Sequence, residues 1–248
     1  MSQLQDKVAV VTGASKGIGA AIAKGFAAAG ARVVVGYSSD KAGAERVVAE
    51  IEEKAGAAFW FGADVSQASH AKELIAAAIG HYGQLDILVN NAGYFRFGPF
   101  EQATEEEFHR MYNINVLGTL LTMQAASPHL CDGGAIINVA SSGISTLSPG
   151  ASVYLSSKAA IVAMSGIIAK ELGPRGIRVN VLCPGATETE GAAALGVLDG
   201  PMVKKLVANT PLGRIGQPED MVGPALFLAS DQARWVTGEV IFASGGTR

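Results

Sequence analysis

The chain has 248 residues, of which 49% are hydrophobic and 17% are charged, a balance typical of a globular protein and not of a disordered one. Its formal net charge of −3 gives no electrostatic reason to expect a nucleic-acid partner. The two cysteines, Cys131 and Cys183, form neither a metal-binding spacing nor a disulfide framework, so a reducing cytoplasm is the simplest compartment. We find no signal-peptide pattern and no apolar run near the ~18–20 residues that a membrane span needs.

Short β-branched runs alternate with helical segments along the whole chain. The run Lys7–Thr12 (KVAVVT) is typical of a strand buried on both faces, and Ala20–Ala29 is rich in alanine, which favours a helix. Further strands are predicted at Ala31–Val35, Ala57–Gly62, Leu85–Asn90, Ala135–Ala140, Ile177–Leu182 and Glu239–Phe242. Further helices are predicted at Asp40–Lys54, Gln67–Tyr82, from about Glu105, in a segment broken near Pro128, at Ser152–Leu172 and at Pro218–Ser230.

This alternation predicts the fold class. Strands that alternate with helices of roughly 10–20 residues form βαβ units, which build a parallel sheet with helices on both faces. We therefore expect a doubly wound, Rossmann-like α/β fold, and a single domain over residues 1–248 because no linker or internal repeat interrupts it. Such sheets bind ligands outside the carboxyl ends of their strands, so the residues after each strand are the candidates for function.

The first strand is followed by a glycine-rich turn. Its glycines, Gly13, Gly17 and Gly19, are spaced Gly-x-x-x-Gly-x-Gly, which differs from the stricter Gly-x-Gly-x-x-Gly pattern. Glycines let the backbone approach a pyrophosphate, and the N-terminus of the next helix supplies amide donors. A glycine turn can also be only structural. The candidate nucleotide-binding residues of this turn are Gly13, Ser15, Lys16, Gly17, Ile18 and Gly19.

The end of the second strand indicates which dinucleotide is bound. NAD sites usually place an acidic residue here for the ribose hydroxyls, some 20 residues beyond the glycines. In this chain Gly36, Tyr37, Ser38 and Ser39 come first, and the first acid is Asp40. The missing acid and the nearby Lys16 favour NADP(H) over NAD(H), and Gly36→Asp is expected to reverse the preference. Ser39 or Asp40 could equally cap the second helix.

Small and polar residues also follow the other strands. Asp64-Val65 suits a contact with an adenine ring, although an ordinary helix cap fits equally well. The remaining candidates at strand ends are Asn91, Ala92 and Gly93 after the fourth strand, Ser141 and Ser142 after the fifth, and Pro184, Gly185, Thr187 and Thr189 after the sixth. Together these strand ends carry the residues that a dinucleotide and a reacting carbonyl group need.

Tyr154 and Lys158 lie one helical turn apart in a predicted helix, so their side chains share a face. A fixed lysine charge is expected to lower the pKa of the phenol from about 10 towards neutrality. Such a tyrosine can exchange a proton with a substrate oxygen near pH 7. The alternative is a core aromatic residue beside a lysine that extends to solvent.

These motifs, taken in order, resemble the short-chain dehydrogenase/reductase family over essentially the whole chain. They are Thr12–Gly19, Asn90–Gly93, Asn115 in Ile-Asn-Val-Leu-Gly, Ser141, Tyr154 with Lys158, and Pro184-Gly185. The resemblance implies an NADPH-dependent ketoreductase, with Tyr154 as general acid. Lys158 would lower the pKa of Tyr154 and hold the nicotinamide ribose, and Ser141 would hydrogen-bond the carbonyl oxygen.

The resemblance also implies roles for further residues. Asn115 would hold a water that connects Lys158 to solvent, and Thr189 would contact the nicotinamide carboxamide. The family serine usually lies thirteen residues before the tyrosine, which selects Ser141 over Ser142. Family members are commonly tetramers, and the apolar stretches Leu117–Met123 and Ala159–Ile168 are consistent with a homotetramer.

Two stretches bear on the substrate. The Ala/Gly-rich residues 186–212 are expected to form a lid, with Ala192–Leu198 as its apolar part, and Tyr94–Phe100 is expected to add an aromatic wall. Both features favour an apolar ketone or aldehyde over a sugar or an acidic metabolite, although both stretches could be packing only.

Two other functions stay open. A 3-oxoacyl-[acyl-carrier-protein] reductase resembles the chain throughout, but Thr119–Gly134 contains no Lys or Arg with which to dock an acidic carrier protein, and only Arg175 lies in a segment that could contribute. An NADP-binding sensor without catalysis would show a broken catalytic set, whereas all four positions are present here.

Overall fold

The computed structural model describes residues 3–194 and 201–247. Within them, seven parallel strands form one sheet in the order β3-β2-β1-β4-β5-β6-β7. The strands are β1 (Val8–Val11), β2 (Arg32–Tyr37), β3 (Ala57–Gly62), β4 (Leu85–Asn90), β5 (Leu130–Val139), β6 (Arg178–Pro184) and β7 (Val240–Ala243). The strand order changes direction between β1 and β4, which is where doubly wound sheets open a ligand crevice. The predicted fold class is confirmed.

Helices cover both faces of the sheet. They are α1 (Gly17–Ala28), α2 (Lys41–Glu52), α3 (Ala68–Tyr82), α4 (Glu105–Tyr112), α5 (Gly118–Ala126), α6 (Gly143–Thr146), α7 (Ser152–Leu172), α8 (Glu190–Ala194), α9 (Pro201–Ala208) and α10 (Val222–Ala229). Helices α1, α2 and α10 pack on one face, and α3, α5 and α7 pack on the other.

The central strand β1 explains why the sequence shows no hydrophobic alternation. Its residues are all buried, but successive side chains point to opposite faces. Ala9 and Val11 join the core under α1, whereas Val10 joins the core under α3. A strand covered by helices on both sides needs apolar residues at every position.

Several predicted boundaries differ from the structure. β5 begins at Leu130 and not at Ala135, because Cys131–Gly134 bulges out of the pairing with β4 and looks like a turn in the sequence. The helix predicted over 218–230 starts as a 3-10 turn at Pro218–Met221 before α10. Between α4 and α5 the helix widens into a π turn at Asn113–Leu117, which the sequence did not indicate.

A ladder of buried polar side chains crosses the carboxyl ends of the central strands. Asn90 on β4 donates to Asn138 on β5 at 2.8 Å, and Asn138 donates to Ser165 on α7 at 2.8 Å. Thr122 on α5 donates to Asn90 at 2.6 Å. Buried polar groups need such partners, so this ladder holds α5 and α7 in a defined position relative to the sheet.

One segment, Ser152–Arg175, is long and apolar enough to cross a membrane, with a mean hydropathy of 1.4, in contrast to the prediction that no such run exists. In the fold this segment is α7 with the turn after it. It packs against β6 and carries the buried Lys158 on its sheet-facing side. These contacts are those of a core helix in an α/β protein.

Candidate active site

The glycine turn after β1 is fastened to the turn after β4. Gly13 and Gly17 have φ angles of +61° and +56°, and a Cβ on Gly13 would lie 2.8 Å from the Cα of Ala92. The Thr12 hydroxyl accepts hydrogen bonds from the N–H groups of Asn91 and Ala92, each at 3.0 Å. The Asn91 amide donates to the carbonyl oxygens of Thr12 and Gly13 at 3.0 and 2.9 Å. Asn91 therefore shapes the glycine turn through its side chain.

A cavity of about 410 Å³ lies over this junction, at the carboxyl ends of the strands. It is lined by predicted residues from five segments, namely Gly13, Ser15, Lys16, Gly17, Ile18, Tyr37, Ser38, Ser39, Asp64, Val65, Asn91, Ala92, Gly93 and Thr189. Gly19, Tyr154, Lys158, Pro184, Gly185 and Thr187 do not line it.

Several residues of this cavity were not predicted from the sequence, among them Arg110 and Ile114. Arg110 and Ile114 line it from the helix that follows the aromatic loop, and the Arg110 guanidinium lies 4.1 Å from the centre of the Tyr94 ring. Their spacing places them on one helix face, which is the signal that could have identified them.

The turn after β2 forms one end of the cavity. Tyr37 packs edge-on against Trp60, with ring centres 6.1 Å apart, and Ser38 and Ser39 are exposed. Asp40 accepts a hydrogen bond from the Gly43 N–H at 2.9 Å and caps α2, so the capping interpretation of Asp40 is confirmed.

Gly36 does not suit the substitution expected from the sequence. It is buried, and a Cβ there would lie 3.0 Å from the Val11 carbonyl oxygen, so an aspartate would disturb the β1–β2 pairing. The exposed Ser38 replaces it as the position for that test.

We expect Ser38→Asp to lower kcat/KM for NADPH at least about tenfold and to leave kcat/KM for NADH within about threefold. A carboxylate at this lining position repels a 2′-phosphate but not a 2′-hydroxyl, and tenfold corresponds to ~1.4 kcal/mol. Steady-state kinetics with both nucleotides measures the ratio. Ser69→Asp, at an exposed position outside the cavity lining, is the control. An unchanged ratio in Ser38→Asp would show that the turn does not select the nucleotide.

Asp64 forms a local turn and does not cap α3. One of its carboxylate oxygens accepts from the N–H and the hydroxyl of Ser66, at 3.0 and 2.7 Å. The capping position of α3 is Gln67, which makes no side-chain cap. Asp64 and Val65 both line the cavity, as the nucleotide interpretation requires.

The structure brings Ser141, Tyr154 and Lys158 together. Tyr154 and Lys158 lie on the first turns of α7, and the Ser141 side chain at the end of β5 hydrogen-bonds Tyr154. Lys158 is 4% exposed, and its Nζ donates to the Val139 carbonyl oxygen at 2.9 Å. The same Nζ lies 5.9 Å from the centre of the Tyr154 ring.

The expected effect of Lys158 on Tyr154 is wrong in this structure. Desolvation by burial raises the pKa of Tyr154 to about 12, and the hydrogen bond with Ser141 lowers it only in part. Burial lowers the pKa of Lys158 to about 8, because only the charged form is penalised by the apolar surroundings. At pH 7 the phenol is therefore protonated, which is the form needed to give a proton.

Asn115 is fully buried in the π turn and holds two elements together. Its Oδ1 accepts from the Tyr94 N–H at 2.8 Å, and its Nδ2 donates to the Tyr94 carbonyl and the Ser157 hydroxyl, both at 2.9 Å. A Cβ on Gly93 would lie 3.4 Å from the Lys158 Nζ and 3.5 Å from the Asn115 Oδ1. Asn115 thus ties the loop after β4 to α7 next to Lys158.

The segment after β6 leads into the predicted lid. Thr187 is buried, donates to the Gly185 carbonyl at 2.9 Å and bridges to Gly216. The Thr189 hydroxyl accepts from the Ala192 N–H at 3.1 Å and so begins α8. Within the predicted lid 186–212, residues 195–200 lie outside the described part of the chain, and with them most of the apolar stretch 192–198.

Two phenylalanines of the predicted aromatic wall contact Tyr154. The ring centres of Phe95 and Phe97 lie 5.8 and 5.7 Å from that of Tyr154, and 5.6 Å from each other. The three rings form a cluster beside the hydroxyl that Ser141 contacts, so one side of this site is apolar.

Comparison with known proteins agrees with this geometry. The model of a protein family described as enoyl-(acyl carrier protein) reductase matches residues 13–248. An uncharacterised oxidoreductase of Methylorubrum extorquens is 56% identical, with both chains covered completely. An L-rhamnose 1-dehydrogenase (NAD(P)+) of Azotobacter vinelandii is 40% identical over 98% of this chain and 97% of the relative.

Solved structures lead to the same class. A short-chain dehydrogenase of Burkholderia cenocepacia, in complex with NADP, has a TM-score of 0.93 and 35% identity, with 99% of both chains covered. Fold, site and relatives define an oxidoreductase with a Rossmann-like sheet. The chain belongs to the short-chain dehydrogenase/reductase family.

Proposed function

We propose that this chain is an NADPH-dependent ketoreductase that reduces an apolar ketone or aldehyde to the alcohol. The observation that carries the proposal is the contact of Ser141 with Tyr154 beside the buried Lys158, at the carboxyl ends of β5 and β6. This is where a doubly wound sheet binds its ligands. The relatives' use of NADP and NAD(P)+, named in their descriptions, supports the choice of nucleotide class.

The residues around the cavity fit a dinucleotide. Gly13 packs against Ala92 so closely that no side chain fits, and this leaves backbone N–H groups and the start of α1 facing the cavity. Lys16 adds a positive charge, and Ser38 and Ser39 add hydroxyls at the end where the nearest acid, Asp40, also lines the cavity and caps α2. When bound, the dinucleotide supplies the hydride for the carbonyl carbon.

In the proposed mechanism the protein positions and protonates the carbonyl oxygen. Ser141 and Tyr154 donate hydrogen bonds to it, and Tyr154 transfers its proton as negative charge develops on the oxygen. The high pKa of Tyr154 keeps that proton available at neutral pH. Lys158 is proposed to hold the dinucleotide, because the unused donor hydrogens of its ammonium suit a ribose hydroxyl.

Asn115 is proposed to support proton return. Its side chain is committed to Tyr94 and Ser157, so any water that it holds is bound through the backbone of the π turn. Gly93 lies next to both the π turn and the Nζ of Lys158. The Asn115 carbonyl oxygen accepts from the Thr119 hydroxyl at 2.7 Å, so a water bound there would be a further donor to the same oxygen.

The apolar side of the site supports the proposed substrate class. Phe95 and Phe97 flank Tyr154, and a sugar in their place would leave hydroxyl groups without partners. We expect kcat/KM for an aryl methyl ketone or a medium-chain ketone to exceed that for L-rhamnose at least about tenfold. A panel of these compounds with NADPH and NADH tests this directly. Preference for the aldose would contradict the proposed substrate class.

A 3-oxoacyl-[acyl-carrier-protein] reductase is the alternative; the description of the matching family, enoyl-(acyl carrier protein) reductase, shares with it the acyl-carrier substrate but not the reaction. The structure weakens it, because Arg175 is already bound to Asp132 at 2.9 Å and to the carbonyl oxygens of Ser127 and Leu130. It is therefore committed to holding the start of β5. Turnover of an acyl-carrier thioester at a rate equal to that of free ketones would favour the alternative.

A cytoplasmic homotetramer is proposed as the working form. Phe108, Leu117 and Ile167 are 41%, 38% and 59% exposed on the helices that the sequence resemblance assigns to subunit contacts. Exposed apolar side chains grouped on neighbouring helices are typical of an interface. Light scattering coupled to gel filtration measures the assembly.

A further inference from the structure

Helix α1 begins without a cap from its own sequence. Its N-cap residue, Lys16, makes no side-chain hydrogen bond to the helix, and the first turn contains no acidic residue. The first N–H groups of a helix have no partner within the helix, and they carry its partial positive charge. The start of α1 is therefore open to an acceptor from elsewhere, which can be another part of the chain, water or a ligand.

Glu190 supplies that acceptor from 173 positions away. Its Oε2 accepts a hydrogen bond from the Gly17 N–H at 3.1 Å. Glu190 is the first residue of α8, and the neighbouring Thr189 also reaches the turn, since its Cγ2 lies 3.2 Å from where a Cβ of Gly17 would be. The N-terminus of α8 thus rests on the glycine turn.

A dinucleotide needs the same donors. The start of a helix after a glycine turn binds phosphate through backbone N–H groups. A carboxylate and a pyrophosphate cannot both occupy the Gly17 N–H, and their like charges repel each other. From this geometry, and resting on the proposed NADPH dependence, we infer that Glu190 is a competing anion that sets the affinity of the chain for its dinucleotide.

The contacts of neighbouring residues allow the Glu190 side chain to leave the glycine turn while the start of the lid stays bound to the rest of the protein. Just before it, the Glu188 N–H donates to the Gly216 carbonyl at 2.8 Å, and the Glu188 carboxylate accepts from Gln217 at 2.8 Å. These contacts fasten the base of the lid to a different loop. Glu190 itself is exposed, and its hydrogen bond to Gly17 is its contact with the glycine turn. Binding of a phosphate at the glycine turn therefore releases α8 from that turn, while the contacts of Glu188 with Gly216 and Gln217 are kept.

The test is the affinity for NADPH, measured by isothermal titration calorimetry. We expect Glu190→Ala to lower the Kd about three- to fivefold, which is the size of an exposed charge at a helix N-terminus. Glu190→Gln should fall between wild type and Glu190→Ala, since the amide oxygen can still accept but carries no charge. Glu219→Ala is the control, because it removes an exposed carboxylate that does not line the cavity, and its Kd should equal that of wild type.

A second ligand tests whether the change in affinity comes from competition between Glu190 and the pyrophosphate. Adenosine 2′-monophosphate lacks the pyrophosphate, so its Kd should be the same in wild type and Glu190→Ala. Hydrogen exchange of the ligand-free protein should be faster at the start of α1 in Glu190→Ala. Unchanged or weaker NADPH binding in Glu190→Ala, with a melting temperature near that of wild type, overturns the inference, as does an equal gain for adenosine 2′-monophosphate. Failure of wild type to bind NADPH at all would instead overturn the proposed function.

Discussion

Replacing Tyr154 by phenylalanine is expected to lower kcat for carbonyl reduction at least about 10³-fold while the Kd for NADPH stays within about twofold. General acid catalysis contributes roughly 10²–10⁴ in rate, and Ser141 alone cannot supply the proton once the phenol is gone. The phenyl ring keeps the contacts with Phe95 and Phe97, so the site should remain folded. Single-turnover kinetics and fluorescence titration of NADPH measure the two quantities.

The matched control is Tyr112→Phe. Tyr112 lies on α4 and stacks on Phe108, with ring centres 4.4 Å apart, away from the reacting groups. It should retain nearly full activity. Residual activity above a tenth of wild type in Tyr154→Phe would contradict the proposed mechanism, whereas NADPH binding without any carbonyl reduction by wild type would favour the non-catalytic sensor.

Lys158→Met is expected to stabilise the protein while removing most of its activity. The fall in the pKa of Lys158 from 10.5 to about 8 corresponds to about 3 kcal/mol of penalty on the buried charge at neutral pH. Loss of the hydrogen bond to the Val139 carbonyl removes about 1–2 kcal/mol of that gain. A net gain of about 1–2 kcal/mol should raise the Tm by roughly 3–6 °C in a chain of this size.

The stabilisation expected for Lys158→Met should depend on pH. Because the folded pKa of Lys158 lies below the unfolded value, the folded state binds fewer protons between about pH 8 and 10.5. The contribution of Lys158 to the stability of wild type therefore increases with pH across that window. The difference in stability between Lys158→Met and wild type should become smaller there. Thermal unfolding at pH 7 and pH 9.5 measures the difference. Lys170→Met, at the exposed end of α7, is the control. A lower Tm for Lys158→Met at pH 7 would contradict the account.

The sequence predicted the sheet, most element boundaries and the grouping of Ser141 with Tyr154 because these depend on local rules. β-branched runs, glycine turns and helical spacing are each readable over a few residues. The bulge at Cys131–Gly134 was missed, since pairing across a sheet involves β4, some 45 residues away. The same holds for the partner of Gly17, because nothing near the glycine turn indicates a carboxylate from α8.

The electrostatics of the site were the least predictable part. Helical spacing correctly placed Lys158 one turn from Tyr154, but it does not show how deeply either group is buried. Burial reverses the expected direction for the phenol, and it acts on the ammonium as well. Such desolvation depends on every element packed around α7, and so it follows from the tertiary structure and not from a five-residue motif.

The polar ladder at the centre of the sheet has a consequence for how far this fold can be altered. The faces of α7 are rich in small residues, and small side chains alone would allow the helix to slide along the sheet. The hydrogen bonds from Asn90 to Asn138 and from Asn138 to Ser165 can form at only one position of α7 along the sheet. They therefore fix the position of this helix relative to β4 and β5. The first turns of α7 are thereby held to the position at which Tyr154 reaches Ser141. The loops around the site can therefore diverge widely in shape while Tyr154, the proposed proton donor, keeps its place.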